Sequence, residues 1–348
     1  MSHFNSGSRI TSSWRNTRKC DTGFSLIELM VALTIGLVVS GAVFSLFIAN
    51  KETYRITENL ARMQDDARVA FELLGRSVRA TEGIVCGRVP VYNVLNNSTT
   101  QWWSNWAGSR IRGYSGSDAA PRAFGTNPTD RVNGTDALYV LGAAQQEPAI
   151  VIGHNPSGSP PILTTNSSHR LQVGDVVAIC DGMQATLFQI NGVPTATTIT
   201  HAAGGGPPGN CTDRLNESCG GTSGGPPKQF PAGAQITRLD AELWYIGHNN
   251  RNGRSLYRLR MNQGNVIAEE MLPGIHNMQL SYLTSDGANP PNLDNQFRPA
   301  AAITDWNRVV GVRVALTLQS AERVDASGNA IQRQSFALFS IRAREYLP

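Results

Sequence analysis

Hydrophobic and polar positions fall into three regimes along the chain. From Phe24 to Asn50 the residues are apolar or uncharged all round, and Glu28 is the one ionisable group in 27 positions. A helix rises about 1.5 Å per residue, so this run spans roughly 40 Å, more than the ~30 Å hydrocarbon core of a bilayer. It holds no proline, and Gly36 and Gly41 are tolerated where a helix satisfies its own backbone. The pattern predicts a transmembrane helix. Beyond Lys51 the period becomes helical and one-sided. Leu60, Met63, Ala67, Phe71, Leu74 and Val78 recur every three or four residues, with Arg62, Asp65, Asp66, Arg68, Glu72, Arg76 and Arg79 mostly on other faces. This predicts an amphipathic helix ending near Gly83.

After Gly83 the period drops to two. "VVGVRVALTL" puts Val310, Val312, Val314, Leu316 and Leu318 on one face; "AELWY" does so with Ala241, Leu243 and Tyr245, and "NMQLSYL" with Met278, Leu280 and Tyr282. "DALYVLG", "VGDVVAI", "ATLFQI", "SLYRLRM" and "SFALFSI" are further strands. They are separated by Gly, Asn, Asp and Pro rather than by helices, which predicts antiparallel sheet and an α+β fold.

Charge adds little except at the start. Arg9, Arg15, Arg18 and Lys19 against Asp21 carry a net +3 of the chain's formal +4. The remaining body is near neutral, which gives no electrostatic case for nucleic-acid binding. Orientation is not set by charge, because four Lys and Arg flank the apolar run within twenty residues on each side. A secretory signal cut after Ala42, at Ser40-Gly41-Ala42, is the competing reading, but the apolar run continues past Ala42. Glu28 discriminates further. A carboxylate inside a membrane helix costs about 2.5–3.5 kcal/mol on insertion scales, so it has a partner, a function, or access to interfacial water.

The stretch "GFSLIELMVAL", behind its basic leader, resembles the processing signal of type IV prepilins and type II secretion pseudopilins. The resemblance implies cleavage between Gly23 and Phe24 by a prepilin peptidase on the cytoplasmic face, followed by N-methylation of Phe24. It implies that Glu28 serves assembly, by pairing with a neighbouring subunit's N-terminal amine. Ser45 stands where major pilins commonly carry a helix-kinking proline. The segments "LDAELWYIG", "SLYRLR", "MLPGIHNMQLSYL", "NRVVGVRVALTLQSAE" and "ALFSIRARE" are similar to the C-terminal half of PilW-type minor pilins, whereas 89–134 has no recognisable counterpart.

The organisation this implies is a cleaved leader over 1–23 and a transmembrane assembly stem over 24–50. An amphipathic continuation follows over 51–82, then a periplasmic β-rich head over 83–348. The implied setting is the bacterial inner membrane, with the head periplasmic and the subunit later in the fibre or at its tip. The implied partners are other minor and major pilins, the peptidase, the inner-membrane assembly platform, a tip adhesin and membrane lipid. The implied function is that of a minor pilin in a priming and tip complex for pilus biogenesis, twitching motility and adhesion. A J-type minor pseudopilin of type II secretion is the nearest alternative, and a secreted binding protein is the alternative of another class.

Cys20 falls in the leader, leaving Cys86, Cys180, Cys211 and Cys219, an even number in an oxidising compartment. Four cysteines allow three connectivities; Cys211–Cys219 with Cys86–Cys180 is favoured, since the first pair closes a short loop. No Cys-x-x-Cys or His-x-x-x-His spacing suggests a metal, and no cofactor is implied. Gly221, Ser223 and Gly225 form a G-x-S-x-G by composition, but glycine and proline flank it where a nucleophile elbow needs a strand and a helix. No acid, base or nucleophile constellation argues for an enzyme. Trp102, Trp103 and Trp106 in "QWWSNW" are candidates for contact with a partner or a glycan; the competing role is to cover a hydrophobic edge under a long loop.

Overall fold

The computed structural model describes residues 23, 25–81, 89–98, 100–106, 108–144, 147–221, 225–263, 265–288, 292–323 and 329–341. The fold is α+β. Among the described residues one α-helix, α1 (Leu26–Ala80), precedes fifteen strands. They are β1 (Val91–Asn93), β2 (Ile111–Tyr114), β3 (Ala137–Ala143), β4 (Ala149–Asn155), β5 (Ile162–Thr165), β6 (Val176–Cys180), β7 (Ala185–Gln189) and β8 (Gly192–Thr195). There follow β9 (Thr198–Thr200), β10 (Gln235–His248), β11 (Arg254–Asn262), β12 (Asn265–Pro273), β13 (Ile275–Thr284), β14 (Val309–Arg323) and β15 (Ala330–Ser340). The chain divides into two compact units, 1–55 and 56–348, described separately below.

In the second unit, β10 is the organising strand. Its first residues, Gln235–Arg238, pair with β6 and β4, and its remainder runs between β3 and β11. One twelve-stranded sheet therefore branches at β10, and β13, β14 and β15 form a second, antiparallel sheet. The pairings are antiparallel except β1 with β7, where Val91–Asn93 runs parallel to Ala185–Leu187.

The periodicities sort side chains as the sheets require. Met278, Leu280 and Tyr282 of β13 and Val312, Val314, Leu316 and Leu318 of β14 are all 5% exposed or less. They share a core with Met63, Ala67, Ala70, Leu74 and Val78, the buried seam of the second half of α1. Leu60 and Phe71 flank this seam rather than fill it. β10 is buried on both faces. Trp244 and Ile246 join the α1 core, while Ala241, Leu243 and Tyr245 enter a second core on the opposite side. A third core gathers Ile179, Phe188, Ile199 and Phe230.

A polar knot fixes the last turns of α1 to β10. The Ser77 hydroxyl donates to the Glu242 carboxylate, and Trp244 Nε1 donates to both, at 3.2 Å to Ser77 Oγ and 3.1 Å to Glu242 Oε2. Arg258 completes it, bridging Glu242 at 3.0 Å and Glu269 at 2.7 Å across β10, β11 and β12. These half-buried charges are paired and hydrogen-bonded, so the knot specifies how the helix seats more than it adds net energy.

The helix end also depends on a glycine. A Cβ on Gly142 would lie 2.2 Å from the Ala80 carbonyl oxygen and 2.8 Å from its carbon. Backbone at a helix terminus yields less readily than a side-chain tip. Gly142→Ala is expected to lower stability by about 2–3 kcal/mol, read as a lower denaturation midpoint of the full chain in detergent. Gly153→Ala, whose nearest neighbour would be 3.9 Å away, should leave the midpoint unchanged.

Candidate functional site

The first unit is dominated by the apolar half of α1. The helix begins with a reciprocal cap built from "SLIE". Glu28 Oε2 accepts from the Ser25 N–H at 3.0 Å, while Ser25 Oγ accepts from the Ile27 N–H at 3.4 Å. This is a variant of the Ser-x-x-Glu capping box, with the Ser25 hydroxyl on the second rather than the third helical amide, and it satisfies amide donors that a helix start leaves open. The carboxylate also lies in the first turn, where the helix dipole favours negative charge. Glu28 therefore has a partner within its own chain.

Between Leu26 and Ile48, fifteen large apolar side chains are 50–75% exposed. They point to every side, so no single face is set aside for a core. The polar side chains among and beyond them turn inward. Thr34 Oγ1 donates to the Val31 carbonyl at 2.9 Å, Ser45 Oγ to that of Ala42 at 2.8 Å and Thr53 Oγ1 to that of Ala49 at 2.9 Å. Hydroxyls bonded to their own helix suit lipid, where an unsatisfied donor is costly. Among the described residues this is the one helix long and apolar enough to cross a membrane. Gly23 is exposed; Phe24 lies outside the described residues, as does the leader over 1–22.

The remaining sequence-derived candidates lie in the second unit, away from one another in the chain. Cys211 and Cys219 are bridged, with their Cα atoms 5.8 Å apart. The bridge closes a small loop, and its Cys219 amide hydrogen-bonds the Asn93 carbonyl at 3.1 Å, which ties the loop to β1. Cys180, at the end of β6, is disulfide-bonded; Cys86 lies outside the described residues. Ser223 of the formal G-x-S-x-G also lies outside them.

Trp103 and Trp106 are 6% and 3% exposed, packed in the core that lies across β10 from α1. Trp102 is half-buried, edge-on to Tyr139 at 5.8 Å, and its carbonyl accepts from the Tyr139 hydroxyl at 2.6 Å. The three indoles thus anchor the 101–106 loop over β3. Among the described residues no group of three or more His, Cys, Asp or Glu is placed to hold a metal ion.

Sequence reasoning missed two buried polar features of the head. Arg131 is fully buried, its guanidinium spread over the carbonyls of Asp118, Ser115 and Thr135 at 2.6–2.9 Å. His154 and His201 face each other with Nε2 atoms 2.9 Å apart. Neither arrangement has a local signal, since the partners are set by strands distant in sequence.

The comparisons with known proteins fall at the two ends of the chain. The family model for the prokaryotic N-terminal methylation motif matches residues 18–44, the leader end and the capped apolar helix. The family model for type IV pilus-assembly protein W matches residues 243–343, from the second half of β10 through β15. No curated protein and no solved structure matches the chain. A prepilin-type N-terminal motif on a single apolar helix fits a membrane-anchored pilin, and PilW-type pilin-like proteins are structural rather than catalytic. The chain thus resembles type IV prepilin-like proteins at its N-terminal end and the PilW-type pilus-assembly proteins over 243–343, matches that support a relation to the type IV pilus.

Proposed function

We propose that this protein is a minor pilin that assembles through α1 into a priming and tip complex, supporting pilus biogenesis, twitching motility and adhesion. The observation that carries this is the Ser25–Glu28 cap at the head of an all-round apolar helix within the matched methylation motif. In this reading the peptidase cuts between Gly23 and Phe24, Phe24 is N-methylated, and the subunit waits in the inner membrane with its head in the periplasm. Glu28 is held by Ser25 until a neighbouring subunit offers its N-terminal amine, a stronger, charged partner. The exposed apolar side chains of residues 26–48 then exchange lipid for other pilin stems. Other minor and major pilins and the assembly platform are the partners, and the domain limits at 23/24, 50/51 and 82/83 follow from this division of labour.

A deletion strain tests the system to which the protein belongs. Loss of surface pili and twitching with exoprotein secretion intact is expected. Intact piliation with lost secretion would instead make the chain a type II secretion pseudopilin.

A further inference from the structure

The buried histidine pair holds the segment that leads into β10. His154 lies in β4, His201 directly follows β9, and both are buried, 7% and 0% exposed. His154 Nδ1 accepts the Phe230 N–H at 3.0 Å, so a neutral His154 carries its proton on Nε2. That proton points at His201 Nε2, 2.9 Å away, which must be the acceptor. His201 then carries its own proton on Nδ1, beside the Asp213 backbone but without a well-formed hydrogen bond. The two lone pairs of the couple are therefore both committed, one to Phe230 and one to its partner ring.

No nitrogen here can take up a proton and keep the arrangement. A proton on His154 Nδ1 would face the Phe230 N–H, donor against donor. A proton on His201 Nε2 would face the N–H of His154 at 2.9 Å. Among the described residues no carboxylate hydrogen-bonds either ring. Phe188 lies edge-on to His201 at 5.6 Å and Phe230 lies tilted against His154 at 6.0 Å. Gln229 Nε2 donates to the His154 carbonyl at 3.2 Å. Lys228, over the Phe230 ring at 5.3 Å, pairs with Asp181 at 2.6 Å. Burial, together with the facing ring in the case of His154, holds both imidazoles well below their ordinary range.

We infer that the His154–His201 couple is a proton-released latch: uptake of one proton breaks the Phe230 contact and frees Gln229 and Phe230 from His154 of β4 while the rest of the head stays folded. The sign follows from linkage. The imidazoles are depressed in the closed state, so the latch is fully closed above about pH 6.5 and weakens as pH falls below it. One proton taken up on opening weakens closure towards tenfold per pH unit below pH 6.5, or roughly 30-fold at pH 5 relative to pH well above 6.5.

The test is hydrogen exchange at the Phe230 amide in the full-length protein in detergent, corrected for the pH dependence of chemical exchange. Protection at Phe230 should fall roughly 30-fold by pH 5 while amides of β14 stay protected. His154→Asn, which retains an acceptor but does not titrate, should diminish the pH dependence, leaving only what His201 contributes. Unchanged protection in the wild type at pH 5, or an undiminished pH dependence in His154→Asn, would overturn the latch. So would simultaneous loss at Phe230 and in β14, which is global acid unfolding and can be read from the wild type alone.

Discussion

Glu28→Ala is expected to abolish incorporation into the fibre while the head remains folded and the protein remains in the membrane. The head is indifferent because the seam that α1 gives to its core begins at Met63, far along the helix from Glu28. Membrane residence is not lost, since removing a carboxylate from an apolar helix makes insertion easier, by up to about 2.5–3.5 kcal/mol. What the variant loses is the cap on the Ser25 amide, worth about 1 kcal/mol, and the anion available to a neighbour's amine. Glu28→Gln separates the two. Its amide oxygen can still accept from Ser25 N–H, at 3.0 Å in the wild type, but it carries no charge. Both variants should be missing from sheared fibres and present in membranes by immunoblot. Normal incorporation of the Ala variant would remove Glu28 from the mechanism, and rescue by Gln would assign the residue to capping alone.

Arg131→Leu is expected to cost the head on the order of 3 kcal/mol, the largest effect of a single side chain in the loop between β2 and β3. Arg131 Nη1 donates to the Asp118 carbonyl at 2.9 Å, and Nη2 to Ser115 at 2.7 Å and Thr135 at 2.6 Å. The guanidinium also lies 4.4 Å from the centre of the Phe124 ring. Burial pulls it down to about 10, with Asp136 and Asp118 opposing that shift, so it remains charged at neutral pH. Leucine would leave three carbonyls without this donor, each worth about 1–3 kcal/mol if not rehydrated. Arg131→Lys is expected to recover only part of the loss, because an ammonium cannot reproduce the planar fork. Denaturant titration followed by tryptophan fluorescence reads both; a change below about 0.5 kcal/mol for leucine, the scale of an ordinary surface substitution, would show that the fork is dispensable.

The sequence made the extremes legible and left the middle obscure, for identifiable reasons. The stem was legible because an unbroken apolar run and a period of 3.6 are local properties. Strands β13 and β14 of the second sheet were legible because each has one buried face, so Met278, Leu280 and Tyr282 alternate cleanly with polar neighbours. Alternation under-reads β10, where Trp244 and Ile246 are as buried as Leu243 and Tyr245, since cores lie on both sides. It also misjudges β15, where Phe336 and Leu338 are 77% and 60% exposed. The placement of Trp103 and Trp106 depends on which strands pass beneath the loop, information that a local window does not hold. Arg131 and the His154–His201 couple are harder still. An arginine and two histidines 47 positions apart look like surface residues until the sheets assemble around them.

The mature N-terminus, measured by mass spectrometry on protein purified from membranes, tests the central claim most directly. A chain beginning at methylated Phe24 is the expected result, because it joins the Gly23–Phe24 junction, the cap at Ser25 and Glu28, and the matched methylation motif in one processing event. A chain beginning at Val43, or one retaining Met1, would contradict it and leave the head as a secreted or simply anchored domain.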